Sequence, residues 1–161
     1  MPASSGRLDT ERAAYAAEKV NRDSMKGEKL KKYRSAVNNA PAYLRQCGLL
    51  QLAAFYGSGE NRKPVWDDLW GWLTRASTTK ALLNAQQVGG SLIAQMKALS
   101  GLSSQKLTLL ERESEEILGW LKRLTEAKYK EQERSARPQH SVTEESESGE
   151  TNGGEEGAED A

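Results

Sequence analysis

The sequence is poor in the residues from which active sites and metal centres are most often built. It has one cysteine, Cys47, and one histidine, His140. A single cysteine excludes an internal disulfide framework and a multi-cysteine metal site. A single histidine excludes a multi-histidine site and leaves most His-centred catalysis without its base. The glycines form neither a dinucleotide fingerprint nor a phosphate loop. No apolar run approaches the ~20 residues that cross a bilayer, and the N-terminal MPASSGRLDTERAA lacks the apolar core of a signal peptide. These absences predict a soluble, cytoplasmic chain with no catalytic site, no cofactor and no metal.

What is present is charge, unevenly placed. The 23 basic and 23 acidic residues cancel over the whole sequence. Residues 138–161 hold eight of the acids (Glu144, Glu145, Glu147, Glu150, Glu155, Glu156, Glu159 and Asp160) and no base. Val142 is their one large aliphatic residue, too little apolar surface to offset chain entropy, so this tail is expected to be disordered. Residues 1–137 keep all 23 bases against 15 acids, a net of +8. That sign points toward a polyanion. The expected organisation is a flexible N-terminus over 1–7, a helical domain over 8–137 and the acidic tail over 138–161, which serves solubility or screens the basic body.

Nothing in residues 1–137 alternates with a period of two, while spacings near 3.6 recur throughout. About seven helices are predicted, over 9–22, 28–40, 41–57, 65–76, 78–87, 91–99 and from Ser103 or Ser104 to about Glu133, in an all-α fold. In VWDDLWGWLTRA, Val65, Trp66, Leu69, Trp70, Trp72, Leu73 and Ala76 fall within an arc of about 160°. A base-stacking platform is one use of these tryptophans; sharing a face with Leu69 and Leu73 makes them core anchors. Asp67 and Asp68 read as helix-N-terminal acids, and Glu111, Glu113, Glu115 and Glu116 as a solvated face. Cys47 reads as a small core residue. Leu30, Tyr33, Val37 and Ala40 face inward, Pro41 separates two helices, and Leu49–Phe55, apolar all round, is expected at the centre. Glu18–Arg22 and Glu126–Lys130 are i,i+4 pairs.

The basic residues carry the functional signal. From Lys26 to Arg45 there are six bases (Lys26, Lys29, Lys31, Lys32, Arg34, Arg45) and one acid, Glu28. Lys31, Arg34 and Asn38 form one strip beside the buried stripe, and Lys32, Ser35 and Asn39 form another on its other flank. An ordinary solvated helix mixes signs; aligned cations and amides follow a phosphate backbone. Lys122 and Arg123, with Lys128 and Lys130, form a second cluster. A helical adaptor that binds only proteins is the alternative, and a helix-turn-helix DNA regulator a third.

Three segments, Lys31-Lys32-Tyr33-Arg34 with CGLLQLAAF at 47–55, WDDLWGWL at 66–73 and EILGWLKRLTEA at 116–127, occur in an order and spacing that resemble the small helical subunit of type III-B CRISPR effector complexes, the Cmr family. The resemblance spans roughly residues 8–130. It implies a compact all-α subunit without catalysis, stacking with further copies of itself as an inner filament in antiviral defence. Its basic face would contact guide RNA and target RNA, mostly at phosphates, and other Cmr subunits would carry the cleavage chemistry. By matched position, Lys32, Arg34, Lys122 and Arg123 become RNA-facing bases; Lys26, Lys29, Lys31 and Arg45 are candidates on charge alone. The acidic tail departs from the family pattern.

Overall fold

The computed structural model describes residues 3–83 and 90–137, residues 3–5 by their backbone alone. Among these residues five helices follow one another: α1 (Ala3–Val20), α2 (Gly27–Gly57), α3 (Lys63–Arg75), α4 (Leu92–Ser100) and α5 (Ser104–Ala136). No strand occurs among the described residues.

The last helix is the spine. Ser103 caps it, its hydroxyl accepting from Lys106 N at 3.3 Å. Arg137, ahead of Pro138, ends it in extended backbone. Leu110, Ser114, Ile117, Leu118 and Leu121 are fully buried along one stripe, against which α1, α2 and α3 all pack. Each such leucine or isoleucine is worth about 1.5–3 kcal/mol of burial. Ser114, the polar member, returns its hydroxyl to Leu110 O at 2.7 Å.

Among the described residues the predicted seven helices are five, for two reasons. Residues 28–40 and 41–57 form one element, α2, with Pro41 inside it. The buried stripe Leu30, Tyr33, Val37, Ala40, Leu44 runs unbroken past the proline, so packing outweighs the one hydrogen bond that Pro41 removes. The break falls at Gly48, whose φ of 82° and ψ of 172° lie in a region essentially reserved for glycine. The second difference is the stretch after α3. Residues 77–83 form turns, with Thr79 N bonded to Ala76 O and Leu82 N to Thr79 O. The Thr79 hydroxyl caps no new helix; it donates to Leu73 O at 2.6 Å and ties the chain back to α3. Residues 84–89 and the acidic tail, 138–161, lie outside the described residues.

All six large apolar residues predicted to face inward from α3 are buried. The Trp66 indole donates to Gln95 Oε1 at 2.8 Å and the Trp72 indole to Glu113 Oε1 at 2.9 Å. Trp66, Trp70 and Trp72 are all buried, the first and last also hydrogen-bonded, so they are core anchors, which removes the base-stacking use. Ser91 caps α4 as expected, accepting from Ala94 N at 3.2 Å. Leu49–Phe55 is not enclosed on all sides: Leu49, Leu52 and Ala53 are buried, but Gln51, Ala54 and Phe55 form an outward face at helical spacing.

Candidate nucleic-acid interface

Helices α2 and α5 pack so that their polar edges face each other across a groove of about 910 Å³. From α2 come Arg34, Asn38, Pro41 and Arg45, residues three or four apart along one edge. From α5 come Glu115, Glu116, Gly119, Lys122, Arg123 and Glu126. The two basic clusters of the sequence therefore meet in space: Arg34, Arg45, Lys122 and Arg123 line one groove.

The groove is not uniformly basic. Arg34 donates through Nε and a terminal nitrogen to the two oxygens of Glu126, at 2.7 and 2.9 Å. Its guanidinium carbon also lies 4.2 Å from the Tyr129 ring centroid. Arg45 pairs with Glu115 at 3.1 Å. Glu126 bonds to Arg34, not to the Lys130 expected from spacing, and the Arg34 hydrogen bonds hold its carboxyl below the usual range. Lys122 and Arg123 are exposed and have no carboxylate within ion-pair distance among the described residues.

Lys26, Lys29, Lys31 and Lys32 are likewise exposed and unpaired among the described residues. Lys29 and Lys32 line a hollow beside Arg22, Tyr33 and Asn61. The strip Lys32, Ser35, Asn39 lines a further groove with Tyr43, Phe55 and Arg62. Of the eight candidate bases, Lys26 precedes α2, five lie on α2 and two on α5; four of the eight share the α2–α5 groove. Arg62, next to Lys63 at the start of α3, is not among them.

Several acids have structural positions that their spacing did not reveal. Asp68 is buried and accepts from both terminal nitrogens of Arg22, at 2.8 and 2.9 Å, and from the Tyr33 hydroxyl at 2.7 Å. It is a core ion pair, not a helix-terminal acid, and Arg22 bonds to it in place of Glu18. Burial raises the Asp68 carboxyl above its ordinary value, opposed by the Tyr33 and Arg22 hydrogen bonds, and pushes the Tyr33 phenol well up. Glu113, expected on a solvated face, is buried and takes two hydrogen bonds from Arg12, at 2.8 and 2.7 Å, besides that of Trp72. Glu111 accepts from Leu49 N at 3.0 Å, capping the half of α2 that restarts after Gly48. Lys128 leaves the basic cluster: its ammonium donates to Val20 O at 2.7 Å, at the end of α1. Cys47 is exposed, not a core residue. No group of three or more His, Cys, Asp and Glu side chains placed to hold a metal occurs among the described residues.

The family model described as CRISPR-associated protein (Cas_Cmr5) matches residues 8–128. The chain belongs to the Cas_Cmr5 family. This is a family of small structural subunits of type III-B Cmr complexes, and the chain is therefore a CRISPR-associated Cmr subunit. The Cas_Cmr5 match runs from α1 into α5 and includes all eight candidate bases; the acidic tail lies beyond it. Neither the curated proteins nor the solved structures contain a match to the chain. No described helix is long and apolar enough to cross a membrane.

Proposed function

We propose that this Cas_Cmr5 chain is a non-catalytic, cytoplasmic, RNA-contacting subunit of a type III-B effector complex that acts in antiviral defence. It stacks with further copies of itself and meets guide RNA and target RNA at their phosphates. Lys26, Lys29, Lys31, Lys32, Lys122 and Arg123 supply unpaired cations; Arg34 and Arg45 enter the contact only by exchanging a carboxylate for a phosphate. The observation that carries the reading is the convergence of Arg34 and Arg45 with Lys122 and Arg123 on one groove in a +8 body. Phosphate contacts of this kind are independent of sequence and weaken steeply with salt.

The test is purification of the tagged native chain from its own cells. Larger Cmr subunits and short RNAs co-purifying with it support the proposal; Cmr subunits without RNA contradict its RNA part. The Arg34–Glu126 and Arg45–Glu115 pairs favour one alternative, a helical adaptor whose partner is protein alone. Under that reading the chain has no affinity for RNA even at low salt.

A further inference from the structure

The other flank of α2 carries a groove of its own. One hollow of about 360 Å³ has Lys29, Lys32 and Asn61 in its wall, and a second of about 380 Å³ has Lys32, Ser35, Asn39, Asn61 and Arg62. Lys32 and Asn61 are common to both, so the hollows adjoin. Positions 29, 32, 35 and 39 recur every three or four residues and make one edge of α2 about 15 Å long. At 100° per residue, Lys32, Ser35 and Asn39 lie about 100–160° round the helix from Arg34. No residue of this edge lines the α2–α5 groove.

The edge is poor in acids. Glu60 is the one carboxylate among its described lining residues, against Lys29, Lys32 and Arg62. Arg22 lines it too, but both its terminal nitrogens are committed to Asp68. None of Lys29, Lys32 and Arg62 has a carboxylate within ion-pair distance among the described residues. In the α2–α5 groove, by contrast, Glu115, Glu116 and Glu126 stand among four bases, and Arg34 and Arg45 are paired. Arg62 is also held in position. Its Nε donates to Phe55 O at 3.1 Å and its guanidinium carbon lies 3.8 Å from the Phe55 ring centroid. Its two terminal nitrogens donate to nothing among the described residues.

We infer that this outer groove is a second, separate track for the ribose-phosphate backbone of RNA, so that one chain holds two stretches of strand, one on each flank of α2. The inference rests on the RNA-contacting reading above and adds Arg62, Ser35, Asn39 and Asn61 to the RNA surface. Lys29, Lys32 and Arg62 take phosphates, and no carboxylate has to leave one of them first. Ser35, Asn39 and Asn61, interleaved with those cations, each offer both a donor and an acceptor. A ribose 2′-hydroxyl, itself donor and acceptor, answers both. The ionised side chains of an acidic peptide only accept, and would leave the amide and hydroxyl oxygens of the groove to water.

The test counts short oligouridylates bound per full chain at low salt, by titration calorimetry. Two are expected on the unaltered chain. One is expected on Lys29→Ala/Lys32→Ala/Arg62→Gln, and one on Lys122→Ala/Arg123→Ala. Lys29→Ala/Lys32→Ala alone changes only exposed side chains; it should weaken the same site and keeps the test sound if Arg62→Gln disturbs the start of α3. A single oligonucleotide on the unaltered chain overturns the second track. So does a count of two that neither outer-groove variant lowers or weakens; if Lys122→Ala/Arg123→Ala then reduces binding, the RNA-contacting function stands without the outer track. An oligoglutamate peptide that binds the unaltered chain more tightly than the RNA, and is lost in the triple variant, would assign the outer groove to an acidic protein. Absence of RNA affinity in the unaltered chain overturns both readings.

Discussion

Arg34 and Glu126 face each other across the α2–α5 groove, joined by two hydrogen bonds of 2.7 and 2.9 Å. The pair places one of the bases best supported by family resemblance against an acid, so the groove as it stands is partly self-neutralised. Removing the acid frees the base. Glu126→Gln should raise RNA affinity at low salt by about two- to fivefold and deepen its salt dependence. Anisotropy titration at several salt concentrations checks this; an unchanged affinity removes Arg34 from the RNA surface.

The same pair has a titration signature. The Arg34 hydrogen bonds hold the Glu126 carboxyl below its ordinary value in the folded chain. The pair's contribution to stability is therefore present above the ordinary glutamate pKa and lost as pH falls through the lowered one. Carboxyl-carbon NMR should show Glu126 titrating below the usual glutamate range, and Arg34→Ala should return it there. A midpoint that does not move contradicts the contact.

Arg12 and Glu113 form a pair of another kind, buried between α1 and α5. Their side chains are 12% and 7% exposed, so removing one partner leaves an uncompensated charge in the core. Arg12→Ala should cost about 3 kcal/mol in urea unfolding. Arg12→Met with Glu113→Gln, which keeps an acceptor for the Trp72 indole, should recover part of that loss. A loss from Arg12→Ala no larger than that of an exposed pair, under about 1 kcal/mol, would show that α1 is not anchored this way.

Two glycines should respond oppositely to alanine. At Gly48 the positive φ admits no side chain without strain, and an added Cβ would lie 3.2 Å from Glu111 Oε1. Gly48→Ala should lose about 1–3 kcal/mol. Gly119 sits in regular α5 backbone with its nearest neighbour, an Arg123 nitrogen, at 3.8 Å from an added Cβ. Gly119→Ala should gain about 0.5–1 kcal/mol. Thermal unfolding of both variants decides; equal signs contradict the kink at Gly48.

The helices were legible where apolar spacing was long and regular. The Trp66–Leu73 face and the Leu110–Leu121 stripe each point one way at 3.6 residues per turn, and both are buried as that period requires. Local proline chemistry alone points to a boundary at Pro41, but the stripe from Leu30 to Leu44 continues through it. The places of Asp68, Glu113 and Glu111 are not legible in the sequence, because their partners, Arg22, Arg12 and Leu49 N, are more than forty residues away. A one-dimensional pattern contains no signal for such pairs. The meeting of Arg34 with Lys122 and Arg123 was hidden for the same reason. Arg62 stands beside Lys63 in the sequence, and only the fold sets its guanidinium over the Phe55 ring.

The most direct test of the account is the salt dependence of single-stranded RNA binding by the full chain. The logarithm of the association constant should fall linearly with the logarithm of salt concentration, by about 0.7 per phosphate contact. Replacing Lys31, Lys32, Lys122 and Arg123 together by alanine should reduce that slope by about two to three units. A slope equal to that of the unaltered chain, or no measurable binding by the unaltered chain at low salt, would contradict the assignment of this basic surface to RNA.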